Sequence, residues 1–311
     1  MVDENRRAIV AALLANFGIF LAKLVGWLFT GAASMLAETV HSLADTGNQA
    51  LLLWGTAAAA RPPNEAHPFG FARERYFWSF VVALVIFSMG AMFALYEGVQ
   101  KLLHPHAIDS PIWAFAILGV AIALECLSFR TALVGGRLLK GDAGWWEFIR
   151  STKTPELPIV LLEDLGALFG LLLALTGVGL AVVTGDARFD AVGSISIGLL
   201  LGVIAIVLAV EMKSLLLGEG ATPEDRDGIQ SALLASENVL RLIHLRTQHL
   251  GPDELLVALK AEFDASLSFG DLAWEIDAAE DRIRQRVPSA RLIYIEPDVF
   301  RPAPGAEAAR G

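Results

Sequence analysis

Six long apolar stretches, at residues 9–29, 34–58, 77–102, 111–134, 157–183 and 189–216, restrict what this chain can fold into. Each is long enough, as a helix, to cross a hydrocarbon core of about 30 Å. They are rich in Gly and Ala, which lets helices approach closely. The chain is 55% hydrophobic and only 19% charged, too apolar for an ordinary soluble protein. Residues 1–7 are polar and carry Arg6 and Arg7 ahead of the first stretch. That stretch is long enough to span, and no clear cleavage site follows a short apolar core. It reads as a retained first helix rather than a signal peptide.

The loops give an orientation. Arg6 and Arg7, then Arg61, Arg73 and Arg75, then Arg137, Lys140, Arg150 and Lys153 fall on one alternating set of connections. The other set carries only Lys101 and Arg188, near span ends. The positive-inside rule places both termini and the two basic loops in the cytoplasm. The expected location is multi-pass, in the bacterial inner membrane.

After residue 217 the chain becomes polar and acidic, and the net charge of −10 belongs mainly to this part. A nucleic-acid partner, which needs a basic surface, is not expected. The pattern predicts a helix at 225–236, strands at 240–245 and 255–263 around a Gly251-Pro252 turn, a helix at 271–287 and a strand at 291–295. The order αββαβ reads as a small open α+β sandwich of ferredoxin-like type. The expected fold is therefore an α-helical membrane protein with six transmembrane helices, followed by that small domain. The expected division is residues 1–217 in the membrane, 218–300 as a cytoplasmic domain and 301–311 as a disordered tail.

The second stretch is not purely apolar. Glu38, His41, Asp45 and Asn48 are spaced three, four and three apart, so on a helix they share one face. A charge in a bilayer costs several kcal/mol, about 2.5–3.5 on insertion scales, and such a face marks an ion or proton path. His with carboxylate is also divalent-metal chemistry. The fifth stretch carries Glu163 and Asp164. Neighbours on a helix point about 100° apart, so these two are not expected to serve one ion equally. His41 and Asp45 give two ligands and the fifth stretch at least one; Glu38, Asn48 or water would complete a set of about four. A single carboxylate could be a structural hydrogen-bonding group between helices, but two stretches carrying carboxylates, one with His four residues before Asp, favour function. Glu38, near the external end of its helix, reads as solvated, and Asn48 as either a supporting group or a packing contact. Lys23 and Arg130 read as snorkelling cations, and Glu125 as a proton-path candidate without support. The single cysteine, Cys126, excludes a disulfide framework and a thiolate cluster within one chain.

With the loop at 67–74 (His-Pro-Phe-Gly-Phe-Ala-Arg-Glu), the segment at 189–198 and the Leu-Leu-Leu-Gly run at 215–218, the chain resembles the cation diffusion facilitator family of divalent-metal transporters. The loop and the Leu-Leu-Glu-Asp run at 161–164 look most like its zinc-transporter-9 branch. The resemblance covers nearly the whole chain. It implies a homodimer in membrane lipid that exports Zn2+, or Co2+, Fe2+ or Mn2+, in exchange for protons, at a tetrahedral site between the second and fifth helices. His41 and Asp45 match the second-helix motif. The fifth helix departs: four residues before Asp164 stands Val160, and before Glu163, Ile159. Both carboxylates are carried forward as metal ligands, Asp164 first. His67 matches a loop-site histidine, with Phe71 and Asn64 where other ligands would stand, and a structural role is preferred for it. In the C-terminal domain His244 and Glu296 match family ligands, while Lys260, Ala273 and Tyr294 replace others, so a binuclear site is not expected there. His249 reads as an exposed turn residue, and His104, His106 and Asp109 as a solvated external loop.

The implied mechanism is alternating access around a midplane site. Metal needs neutral His and ionised carboxylates, so metal and protons compete, and His41, with a reference pKa of about 6.5, is the natural exchanger. Two other classes compete. A metalloenzyme needs an activated water and a general base, and no His-Glu-x-x-His motif is present; no enzyme activity is expected. A channel, or a metal-binding protein acting in a complex without antiport, is kept alive by the incomplete fifth-helix motif.

Overall fold

The computed structural model describes residues 2–105 and 111–301. The segment with His106 and Asp109, and the tail from 302 onward, lie outside the described residues. The chain divides into two compact units, at 1–214 and 215–311.

The first unit is helical. Its elements are α1 (Val2–Thr30), α2 (Ala33–Ala59), α3 (Glu74–Val85), a π-helical segment (Ile86–Met92), α4 (Phe93–Leu103), α5 (Pro111–Lys140), α6 (Trp145–Ser151), α7 (Glu156–Thr184) and α8 (Arg188–Leu217). Every predicted span has its helix, but the third is α3, π turn and α4 in one run. Among the described residues, four segments are long and apolar enough to cross a membrane: Glu74–Leu103, Pro111–Arg137, Glu156–Thr184 and Arg188–Leu217. α1 contributes a shorter apolar stretch, Asn16–Thr30. α2 spans 27 residues, and the ionisable face lowers its apolar character.

Sterics set the crossings and turns. Gly31 (φ +59°) makes the tight turn between α1 and α2, and Gly185 (φ +74°) ends α7 in the left-handed conformation. A methyl on Gly177 would come within 3.0 Å of the Phe189 carbonyl and 3.3 Å of the Gly193 Cα, so α7 and α8 cross backbone to backbone. The exterior is apolar. On α8, Val192, Leu199, Val203, Ile206 and Val210 are all more than half exposed and recur every three, four or seven residues. Lys23, Glu38 and Lys101 lie inside at 0–1% exposure. Charged inside and apolar outside is the distribution lipid selects.

α6, with Phe148 and Ile149 buried, falls in the basic loop where only loop was expected. Trp145 packs edge-on against Phe148 and lies under the Lys140 ammonium.

The second unit holds α9 (Pro223–Leu233), β1 (Val239–Gly251), β2 (Glu254–Phe263), α10 (Phe269–Arg286) and β3 (Ala290–Pro297). The order αββαβ is as predicted. β1 and β2 are antiparallel, β2 and β3 parallel, in the order β1-β2-β3. Thr222 and Ser268 start the two helices by accepting from the backbone N–H of Asp225 and Asp271. β2 alternates strictly, burying Leu255, Val257, Leu259, Ala261 and Phe263 in a core with Ile229, Leu233, Ala279 and Ile283. β1 is longer than predicted. Gly251 pairs with Glu254, so Pro252-Asp253 is the two-residue turn and His249 belongs to the strand. Its ring is buried, at 3% exposure, with Nδ1 3.4 Å from the Gly251 carbonyl. The expectation of an exposed turn histidine is corrected.

Candidate functional site

The polar face of α2 is turned wholly inward: Glu38 and Asn48 are 0% exposed, His41 1% and Asp45 8%. His41 Nδ1 stands 3.5 Å from Asp45 Oδ1, beyond ordinary hydrogen-bond length. Among the described residues, neither His41 ring nitrogen, nor Ser42 Oγ, Asp45 Oδ1 or Asn48 Oδ1, has a hydrogen-bond partner. Opposite His41 lies Gly90 of the π-helical segment, whose added Cβ would sit 3.9 Å from His41 Nδ1. A π turn beside a candidate ligand fits the tendency of such turns to occur at functional sites.

α7 brings its carboxylates to the same interior. Glu163 Oε1 accepts from Asn48 Nδ2 at 2.7 Å, and Asp164 Oδ2 accepts from Ser128 Oγ of α5 at 3.0 Å. The two side chains thus turn to different neighbours, as their 100° offset requires. Asp45, Glu163, Asp164 and Glu125 nonetheless border one small void of about 10 Å³, with Ser42, Asn16 and Ile19 completing its wall. That is close to the space of one water-sized sphere. Asp45 lies within electrostatic reach of Glu163, Glu125, Lys23 and Asp164. Among the described residues, no three His, Cys, Asp or Glu side chains stand close enough to hold an ion together.

Two expectations fail here. Glu38 is not solvated: Lys23 Nζ donates to its Oε2 at 3.1 Å, and its Oε1 presses on Gly170 of α7, where a methyl group would collide with it. Lys23 does not snorkel: it is fully buried and also reaches Glu125 Oε1 at 3.4 Å. A lone basic residue in an apolar run looks the same whether it reaches water or a carboxylate on another helix, so sequence could not separate the two. Arg130 is exposed.

A second buried pair went unread. Asp190 of α8 is 0% exposed, and its Oδ2 sits 2.8 Å from Lys101 Nζ. The same carboxylate accepts from the Ala33 N–H at 2.9 Å, the Ser34 N–H at 3.4 Å and the Ser34 hydroxyl. An anion thus meets the positive end of α2. The Ser34 and Asp190 positions carried the signal, but only the fold joins them.

The weaker candidates are surface features. His67 is exposed; its backbone N–H donates to Asn64 Oδ1 at 2.8 Å and its ring packs 4.5 Å from that of Phe71. The loop is held by the backbone of His67 and by Arg61 stacked on Phe71. His244 accepts from Arg246 Nε at 3.3 Å. Lys260 faces Glu296 at 2.8 Å and Asp298 at 3.4 Å. These hydrogen bonds and charges raise the lysine's pKa, and an ammonium occupies the carboxylates of that sheet face.

A model of the cation efflux transmembrane domain matches residues 9–217. The proton-coupled zinc antiporter SLC30A9, mitochondrial, of Xenopus laevis is 34% identical over 261 residues, 83% of this chain and 46% of that protein. The human protein of that name is 33% identical over 264 residues, again 83% of this chain and 46% of the relative. This chain therefore spans about half the length of those relatives. The cation-efflux pump FieF of Klebsiella pneumoniae is 25% identical over 300 residues, 96% of this chain and 94% of that pump.

Proposed function

This chain belongs to the cation efflux family, a family of membrane transporters, and from that premise we propose that it exports Zn2+ from the cytoplasm in exchange for protons. The single observation that carries this reading is the convergence of α2 and α7. Asn48 bonds Glu163, and Asp45, Glu163 and Asp164 border one void in the interior. His41 and Asp45 are the α2 ligands, and Glu163 and Asp164 the α7 donors. Nitrogen with carboxylate oxygen suits zinc, and Co2+, Fe2+ or Mn2+ accept the same donors. The names of the SLC30A9 relatives favour zinc and proton coupling.

In this reading six helices span the membrane, α2 being carried across by its neighbours despite its polar face. The membrane unit is 1–217, the domain at 218–300 is cytoplasmic with both termini, and two copies assemble. Among the described residues the donors do not form a closed set of three, and in this reading the cation draws α2 and α7 together as it binds. Rocking of the helices then opens the site to the other side. Protons compete for the same imidazole and carboxylates, which couples the two fluxes.

The test is zinc uptake by the purified protein in liposomes under an imposed pH gradient. Wild type should carry zinc in proportion to that gradient, and Asp45→Asn should not. Native-rate uptake by Asp45→Asn would remove the site assignment. Flux that follows voltage and ignores the pH gradient would make the protein a channel. Running Co2+, Fe2+ and Mn2+ in parallel ranks the cargo.

A further inference from the structure

Among the described residues, five buried carboxylates gather around the candidate site, on Glu38, Asp45, Glu125, Glu163 and Asp164, with the Lys23 ammonium among them. Carboxylates crowded in a low-dielectric interior need a cation or must give up their charge. Lys23 serves two of them, at 3.1 Å and 3.4 Å.

The geometry ties that ammonium to the candidate site. Asn16, Ile19 and Lys23 share one face of α1, three and four residues apart. Asn16 and Ile19 line the void, so Lys23 stands one turn beyond it. Glu125 and Ser128 share one face of α5 in the same way. Ser128 bonds Asp164, and Glu125 borders the void directly. Glu125 therefore has Lys23 on one side and the void on the other. Independently, the wall of the void carries a hydroxyl without a partner: Ser42 Oγ, in a residue 2% exposed, has no hydrogen-bond acceptor or donor among the described residues. This hydroxyl is a free oxygen donor beside carboxylates, surroundings that suit a cation.

We propose that Glu125 is a further ligand of the transported cation and that Lys23 is its stand-in: ammonium and divalent ion are alternative partners of one carboxylate. This rests on the transport reading and deepens it. The α7 motif lacks a partner four residues before either carboxylate, and α5 supplies the missing arm. Without the ion, the ammonium holds Glu125 and limits the net negative charge of the interior. When the divalent ion arrives, Glu125 turns to it. On release, the ammonium takes Glu125 back, which speeds departure of the ion.

The roles separate by sign. A merely structural Lys23 would, on removal, loosen the site. A competing Lys23 would, on removal, tighten it. Zinc binding by calorimetry and zinc uptake in liposomes would be measured on the full chain for Lys23→Met, Glu125→Gln, Glu125→Asp and Asp45→Asn. Lys23→Met should bind zinc about tenfold more tightly, because a neighbouring positive charge is gone, and turn over more slowly. Glu125→Gln should bind about tenfold more weakly, and the double variant should resemble Glu125→Gln. Glu125→Asp keeps the charge but shortens the arm, and it too should weaken binding, which keeps the test open if Glu125→Gln does not fold. Unchanged or weaker affinity in Lys23→Met, or unchanged affinity in both Glu125 variants, overturns the proposal. If those results come with Asp45→Asn abolishing zinc binding, only the α5 ligand falls. If wild type binds no divalent ion, the transport reading falls with it.

Discussion

Asn48 of α2 donates to Glu163 of α7 at 2.7 Å, both side chains inside the helical unit. This bond fixes one α7 carboxylate toward α2 and leaves the other to α5. It joins the two helices that the proposed transport site requires.

Replacing Asn48 by Ala removes the donor and leaves a buried carboxylate oxygen without it. Such a loss costs about 1–3 kcal/mol. Zinc uptake should fall and the unfolding midpoint of the purified protein should drop. An Asn48→Ala protein with wild-type stability and uptake would reduce the bond to an incidental contact.

Lys101→Met would leave the fully buried Asp190 carboxylate with its hydrogen bonds from Ala33 and Ser34 but without its cation. Breaking one side of a buried pair costs about 3–5 kcal/mol. Adding Asp190→Asn should recover much of this, since an amide oxygen can still accept from the α2 N-terminus. Denaturation of the single and double variants in detergent reads the difference. Equal loss in both would show that the charge of Asp190 is not the burden.

Gly170→Ala drives a methyl group into the Glu38 carboxylate. Overpacking of this kind costs about 1–3 kcal/mol, and here it also pushes Glu38 against Lys23. Uptake should suffer more than in Gly119→Ala, where a Cβ meets nothing within 4 Å.

In the C-terminal unit Glu275 ionises more readily than an ordinary carboxylate. Burial opposes this, but hydrogen bonds from Asn238, Arg282 and Ser236, with the Arg282 charge, outweigh it. Its folded pKa lies below its unfolded value. The stability it contributes is therefore present above the unfolded pKa and is lost as pH falls through the folded one. Hydrogen exchange of α9 and α10 amides in the full chain should accelerate over that acid range, and Glu275→Gln should flatten the dependence. Identical profiles would exclude Glu275 as a cause.

The membrane helices were legible because their apolar runs are long; helix ends were less so, and the helix predicted at 225–236 runs from Pro223 to Leu233, capped by Thr222. The spacing of Glu38, His41, Asp45 and Asn48 was enough to put them on one face. Lys23 was misread for a different reason. Its partners lie 15 and 102 residues away, and periodicity within one helix says nothing about which helix adjoins it. Asp190 escaped the same way, its contacts with Ala33 and Ser34 lying 157 and 156 residues apart. His249 was missed because β1 runs on to Gly251, well past the predicted end at Leu245, and the hairpin turns at Pro252-Asp253 rather than Gly251-Pro252. α6 is seven residues long, too short for a periodic signal.

The π-helical turn at Ile86–Met92 divides the run Glu74–Leu103 into two halves. One residue more per turn is a phase offset: rewinding the segment as α-helix would rotate the half after it by roughly 100° relative to the half before it. The far half carries Lys101, clamped to Asp190, and the near half carries Arg75, clamped to Glu156 through Nε at 2.6 Å. The π segment beside His41 is thus flanked by an ion-paired anchor on each side, so a change of its winding would be felt as a twist between two fixed points.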